Sequence, residues 1–393
     1  MSVTTPVAVG ARSGRWMAEA GFGVYVHIPF CKHRCAYCDF NTYEGLEHLQ
    51  EAYVDALVRE IERWDGDVRP ATSIFFGGGT PTLLAPAQLG RVVGAIRRRI
   101  GLADDAEITV EANPETVDEA RLAALLDAGF NRVSIGVQSL VPSVLKGLDR
   151  THPAEVALAA IAAARRAGFD DVNADLIYGS PWETDEDWVR SLQGIVAAEV
   201  DHVSAYALTI EEGTPLATRI HTGRAPDVDP DVQAARYEVA QELLGAAGFE
   251  RYEISNWARP GRASRHNVLY WSAGDYLGFG AGAHAHVAGH RWWSKRLPRE
   301  FIAAVDAGSP TVEGSEHLDD DARLGEALML GLRLRHGVDL RAVAERFGQD
   351  LLERRSQVIG ELVAAGWLER VDERLRVAEK GTLLANDICC RLL

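Results

Sequence analysis

An α/β fold with parallel strands, followed by a smaller helical module, is predicted by three features of the sequence. Six short β-rich runs alternate with amphipathic helical stretches between residue 24 and about residue 210. The runs end in cysteine, glycine or polar residues. From Leu318 onward the pattern changes to helices and one hairpin. Strand, helix, strand repeated in this way requires parallel pairing with right-handed crossovers, since a parallel neighbour is out of reach of a tight turn.

Taken in order, the strand candidates are residues 24–28, 73–76, 107–111, 132–137, 172–177 and 202–208. Apolar residues at helical spacing mark helices between them at 46–64, 86–100, 117–128, 153–167 and 184–198. A charged loop then runs to about Asp231, followed by a helix at 234–247 and a β-rich piece at 249–254. The C-terminal part reads as helices at 319–334, 340–347 and 351–365, a hairpin of 368–371 with 374–377, and a last helix from Lys380. The expected division is a flexible leader at 1–23, a barrel with its extension at 24–317, and a winged-helix-like α+β module at 318–393.

Composition narrows the class. The chain has 393 residues, 47% hydrophobic and 25% charged, which suits a globular protein with a large core. A formal net charge of −16 argues against a non-specific nucleic-acid binder. No run of about 18 apolar residues marks a membrane helix, and the N-terminal segment lacks the apolar stretch of a secretion signal. The reading is a cytoplasmic protein. Cys389 and Cys390, adjacent near the end of the chain, read as an incidental pair.

The first β-rich run stops at Pro29, and Cys31, Cys35 and Cys38 follow at once. Thiolates at this spacing can curl onto different irons of one 4Fe-4S cube, leaving the fourth iron open. A structural zinc site is the alternative and would need a fourth ligand, for which His27 or His33 is at hand. A disulfide leaves one thiol over. The later strand ends are also polar or glycine-rich: Gly77-Gly78-Gly79-Thr80, Glu111-Ala112-Asn113, Gly136-Val137-Gln138, Asn173 with Asp175, and Tyr206-Ala207. In a parallel barrel that is the end where chemistry sits. The glycines allow a backbone edge to approach a ligand, and the Gly-Lys-Ser/Thr ending of a phosphate loop is missing. A carboxylate inside the fifth run, Asp175, needs a partner such as a ribose hydroxyl or Arg150.

The Cys-x3-Cys-x2-Cys spacing directly after a strand, with Tyr37 before the last cysteine, resembles the radical S-adenosylmethionine (SAM) superfamily. The words YVHIPFC around it resemble the branch that holds oxygen-independent coproporphyrinogen III dehydrogenase and the heme chaperone HemW. The resemblance covers roughly residues 24–384 and implies a partial (β/α)6 barrel. It implies Cys31, Cys35 and Cys38 as cluster ligands, an open iron that binds SAM, and an electron donor for the cluster. It further implies SAM contacts from Tyr25, Tyr37, Gly78, Gly79, Thr80 and Glu111. Gln138, Arg150, Asp175, Ala207 and His284 complete that set, with the Arg150 fork matched to the SAM carboxylate.

A second informative stretch is residues 252–271, where His266, Asn267, Tyr270 and Trp271 cluster. One reading is a loop whose aromatics cap the open side of the barrel. The other is a porphyrin site with an imidazole axial ligand and flat aromatics against the macrocycle. HNVLYW resembles a heme-linked pattern of HemW, which favours His266 as the ligand, with His284 and His286 as alternatives.

Two functions in this branch compete. The dehydrogenase carries another cysteine two residues after the third, where this chain has Phe40, and a long N-terminal arm for which the residues before strand one are too few. Together with HNVLYW these favour a SAM- and 4Fe-4S-binding chaperone that hands heme to acceptor proteins. Propionate decarboxylation by the dehydrogenase is the alternative, and nucleic-acid binding through the winged helix is a distant third. Contact with membrane-protein acceptors is expected to be transient.

Overall fold

The computed structural model describes residues 21–393; nearly all of the segment read as a leader lies outside the described residues. Six parallel strands form the centre in sequence order: β1 (Gly23–Ile28), β2 (Ala71–Gly78), β3 (Leu102–Ala112), β4 (Arg132–Gln138), β5 (Asp171–Tyr178) and β6 (His202–Ala207). Helices α1 (Gln50–Arg63), α2 (Pro86–Arg99), α3 (Glu119–Asp127), α4 (Pro142–Gly147), α5 (Ala154–Ala167) and α6 (Asp185–Ala197) lie between them. This is the partial (β/α)6 barrel expected. Helices α2 and α4 open on proline, whose missing N–H costs nothing in a first turn. Thr184 and Asp187 cap the start of α6 reciprocally. The short helix α4 was not foreseen.

Register explains why this sequence makes a barrel with a working interior. Ile74 pairs with Ile108, Val110 with Val133, Val133 with Val172, and Ala174 with Val203, so one face of every strand is apolar. The helices cover that face, and these side chains are buried in the principal core. The alternate positions are polar: Ser73 opposes Glu107, Glu111 opposes Ser134, Ser134 opposes Asn173, and Asp175 opposes Ser204. Two-residue alternation thus gives a greasy outside for packing and a polar lumen for chemistry.

The sheet extends further than the pattern revealed. After α7 (Pro215–His221) and α8 (Pro230–Ala246), β8 (Asn256–Ala258) adds antiparallel to β6, and β7 (Glu250–Arg251) pairs antiparallel with β8 at the sheet edge. The run read at 249–254 therefore contributes two paired residues only. The segment 252–271 is not a loop on the open side: it carries α9 (Arg265–Trp271), packed at the opposite end of the barrel. Then β9 (Tyr276–Phe279) pairs parallel to β1. It is followed by an antiparallel ribbon of β10 (His284–Val287), β11 (His290–Ser294) and, after α10 (Pro298–Asp306), β12 (Val312–His317). The result is a twelve-stranded mixed sheet.

The C-terminal module has its own apolar cluster around Leu324, Leu328, Val343, Leu362 and Leu375. Its elements are α11 (Asp320–Gly331), β13 (Val338–Asp339), α12 (Leu340–Phe347), α13 (Gln349–Glu353), α14 (Ser356–Ala364), β14 (Leu368–Val371), β15 (Arg374–Val377) and α15 (Ala385–Cys390). The single helix expected at 351–365 is two. Arg355 breaks it by turning inward, where its guanidinium bonds Asp321 at 2.8 Å and the Leu392 carbonyl at 3.0 Å. The last helix begins later than expected, after a 3-10 stretch at Glu379–Leu384. Cys389 is buried in this module, donating to the Met329 carbonyl. Among the described residues no helix is long and apolar enough to cross a membrane.

Candidate functional site

A cleft of about 390 Å³ opens at the C-terminal ends of β1–β6, and the loop after β1 forms one wall. That loop is pinned by backbone bonds from Cys31 N to Tyr43 O (3.0 Å) and from Tyr43 N to Pro29 O (2.8 Å). Cys31, Cys35 and Cys38 all line the cleft, all as free thiols. Burial lifts the Cys31 thiol to about 11, and it raises Cys35 against the opposing pull of Arg150. Thr80 Oγ1 donates to Cys31 Sγ at 3.8 Å, and Arg150 Nη1 to Cys35 Sγ at 3.4 Å. Donors aimed at two sulfurs favour the thiolate, the form that binds metal. Three such sulfurs around one cleft fit an iron–sulfur cluster with an open iron. Among the described residues no group of three or more His, Cys, Asp and Glu has the geometry of a single-ion site.

The glycine strand end faces the cysteines. Gly79 N donates to Ile28 O at 2.8 Å and Thr80 N to Phe30 O at 2.7 Å, so this loop and the cysteine loop are laced together. Gly78 has φ +105°, and a Cβ there would lie 2.4 Å from the His27 ring. A Cβ on Gly79 would lie 2.5 Å from the Phe30 carbonyl oxygen. Both positions demand glycine on packing grounds alone.

Glu111, Gln138, Asp175 and Ala207 line the other wall. Glu111 accepts from Gly78 N at 3.2 Å. Withdrawal from water, with Asp175 nearby, pushes its carboxyl up to about 8. Gln138 sits at φ +66°, where the β4–β5 register slips, a strained conformation of the kind found at ligand sites. Asp175 finds its partners in Ser134 (2.8 Å) and Asn173 (2.8 Å), not in Arg150. Arg150 instead bonds Cys35, Asn113 Oδ1 (2.9 Å) and the Gly136 carbonyl (3.0 Å). Asn113, which sequence reasoning placed at a polar strand end without a role, bridges Arg150 to Thr80, its Nδ2 lying 3.1 Å from Thr80 Oγ1. Its signal was the Asn-Pro pair closing the third strand.

Two residues expected at SAM lie outside the cleft lining. Tyr25 is deeper in the lumen, bonded to His27 Nδ1 at 2.9 Å and stacked on Phe75. His284 is exposed on β10 and stacks on Trp293.

The residues expected at heme are elsewhere. His266 is buried at the N-terminal end of the barrel, its ring nitrogens bonded to Ser73 Oγ (2.9 Å) and Tyr270 Oη (3.1 Å). As folded it has no nitrogen free for iron, and burial holds its pKa down to about 3. Glu107 accepts from the backbone N–H groups of Arg265 (2.8 Å) and His266 (3.1 Å), fastening α9 across the barrel end. Asn267 donates to Tyr252 Oη at 3.3 Å, and Trp271 lies under the Arg333 guanidinium of α11's C-terminal end, 5.3 Å away. Of these four residues Trp271 reaches the C-terminal module, while His266, Asn267 and Tyr270 bond to residues of the barrel and its extension. The structure does not bring them to the cleft.

Comparison with known proteins agrees with this geometry. Residues 25–194 match the radical SAM superfamily, and residues 318–384 match the HemN C-terminal domain. The chain is 42% identical over 377 residues to the heme chaperone HemW of Mycobacterium tuberculosis, covering 95% of each. It is 32% identical over 370 residues to heme chaperone HemW of Bacillus subtilis, covering 93% of this chain and 97% of that one. Among solved structures, coproporphyrinogen III oxidase (HemN) of Escherichia coli, a radical SAM enzyme, matches with a TM-score of 0.82 at 24% identity, covering 95% and 90%.

Proposed function

The chain belongs to the radical SAM superfamily, in the family of proteins named heme chaperone HemW, and from that premise we propose that it binds heme and passes it to acceptor hemoproteins. The observation that carries this reading is the 42% identity over 95% of both chains to a named heme chaperone. Phe40 agrees with it, standing where the dehydrogenase resemblance calls for a further cysteine. We place the protein in the cytoplasm and expect an electron donor and heme-accepting proteins as partners.

Cys31, Cys35 and Cys38 would hold a 4Fe-4S cluster, supported by their convergence on one cleft. Such a cluster supplies an open iron and an electron to a bound SAM. Gly78 and Gly79 keep that side clear of side chains, with Thr80 beside them turned to Cys31. Arg150 places positive charge against Cys35, and the carboxyl groups of Glu111 and Asp175 offer acceptors to ribose or to a sulfonium. Gln138, Tyr37 and Ala207 would complete the SAM surface, with Tyr25 behind His27 as its support. His266, Asn267, Tyr270 and Trp271 would meet heme only in a form in which α9 has left the barrel end.

The test is anaerobic reconstitution followed by two assays. Incubation with SAM, a reductant and coproporphyrinogen III should give no protoporphyrinogen, while hemin added to the same preparation should bind. Decarboxylated product would overturn the chaperone reading in favour of the dehydrogenase.

A further inference from the structure

A line of hydrogen bonds runs inside the barrel from the cleft to helix α9. On β5, Asn173 Nδ2 lies 2.8 Å from Asp175 Oδ1, and Asp175 lines the cleft. Asn173 Oδ1 lies 2.6 Å from Nδ1 of His202, the first residue of β6. His202 Nε2 lies 2.9 Å from Tyr252 Oη, which accepts from Asn267 Nδ2 of α9 at 3.3 Å. Asn173 and His202 are buried, so their polar atoms have to be satisfied within the chain.

Chemistry gives this line one direction. An amide oxygen only accepts, so His202 Nδ1 carries the proton that meets Asn173. Burial, then the Arg132 charge, holds the His202 pKa well below its usual value, and the ring is neutral. Its Nε2 is therefore bare and accepts from the Tyr252 hydroxyl, which burial keeps protonated. Every group from Asn267 onward donates toward Asp175. The alternative, with the Asn173 amide turned over and the proton on His202 Nε2, would set two oxygens against each other at Asp175. The Ser134 and Ser204 hydroxyls beside Asn173 can rotate to suit either face of the amide, so they do not choose between the two. At the end of the line Asp175 Oδ1 accepts from Asn173 and Oδ2 from Ser134, at 2.8 Å each. A carboxylate has about four acceptor sites, so capacity remains for a ligand.

We infer that Asn173, His202 and Tyr252 are positioning residues for Asp175, holding its carboxylate in one orientation to accept from the ribose hydroxyls of SAM. The inference rests on the SAM reading above and says what holds one of its contacts in place. It also gives the HNVLYW stretch a part in the cleft without bringing it there, since Asn267 supplies the first donor of the line. A fully satisfied buried network of this kind restricts each member to one arrangement.

SAM titration of the cluster-reconstituted chain in a double-mutant cycle tests this. His202→Leu should weaken SAM binding by about tenfold, and Tyr252→Phe by a smaller factor, with iron and sulfide content unchanged. In an Asp175→Ala background, itself weaker than the wild type, neither change should weaken binding further. Equal losses in both backgrounds, or no loss from either change, would overturn the positioning role alone. If His202→Leu fails to fold, Tyr252→Phe carries the same cycle, since it keeps the ring and removes one hydroxyl. Selective 15N labelling of histidine in the metal-free chain gives a readout without SAM. His202 should carry its proton on Nδ1, and a proton on Nε2 would overturn the proposal. An Asp175→Ala chain that binds SAM as tightly as the wild type would overturn the SAM contact of Asp175, and this role with it.

Discussion

The two ends of the barrel are built from the same residue types and do opposite things. At the C-terminal end three free cysteines, Glu111, Gln138 and Asp175 surround about 390 Å³ of open cleft. At the N-terminal end Ser73, Glu107 and His266 are equally polar, yet they are buried and bonded to one another and to α9. The difference is a plug. Helix α9 covers one end, and no element among the described residues covers the other. A polar residue in a barrel becomes a site only where its partners are left for a ligand to supply.

The largest test of this contrast is removal of a thiol at the open end. Cys35→Ala should reduce reconstituted iron and sulfide to background, because two thiolates cannot hold the cube. Thermal unfolding of the metal-free chain should barely move, since Cys35 packs at the cleft wall and Arg150 keeps its bonds to Asn113 and Gly136. A large loss of metal-free stability would show that the rim is structural after all.

At the plugged end the balance should reverse. His266→Ala deletes a buried ring stacked on Phe75 and strands the Ser73 and Tyr270 hydroxyls, at a cost of about 2–4 kcal/mol. Cluster content should be unchanged. The His266 pKa falls from 6.5 to about 3 on folding, so between those values the unfolded chain binds more protons. The stability from this residue is therefore full above pH 6.5 and declines as pH falls toward 3, by at most about 1.4 kcal/mol per pH unit. Denaturant titrations at pH 7 and pH 5 should show wild type and His266→Gln drawing closer together at pH 5. Parallel curves would mean that the imidazole is not held neutral.

How far each end could be read in advance follows from the same contrast. The six barrel strands were legible to within a few residues at most ends, because their outer positions alternate with polar inner ones, as Val133–Ser134–Ile135 does. The open end was legible because chemistry collects at strand C-termini, so Gly78, Glu111 and Asp175 could be placed by order alone. The plug was not. His266 meets Ser73 across 193 residues of chain, and no local pattern records such a contact. The ribbon of β10–β12 escaped for another reason: GFGAGAHAH and HRWWS lack the β-branched runs that announce a strand, and pairing alone holds them. Its exposed His284 consequently looked the same in sequence as the buried His266.

The smallest effect lies within the open end and asks whether a ligand completes it. Glu111 has its carboxyl pushed up to about 8 by withdrawal from water and by Asp175, with Gly78 N opposing. In the folded chain it holds a proton that the unfolded chain releases above pH 4.5, so stability from this group falls as pH rises from 4.5 through 8. The sulfonium of SAM is a permanent cation, and its arrival beside Glu111 would favour the carboxylate and expel that proton. SAM affinity of the reconstituted protein should therefore rise severalfold from pH 6.5 to 8.5, levelling above 8. Calorimetry in buffers of different ionisation enthalpy should detect the released proton. Glu111→Gln carries no titrating proton, so it should bind more weakly and with a flatter pH profile. If both proteins follow the same profile, Glu111 does not face the sulfonium. The protonated carboxyl would then be matched to a different ligand at the same rim.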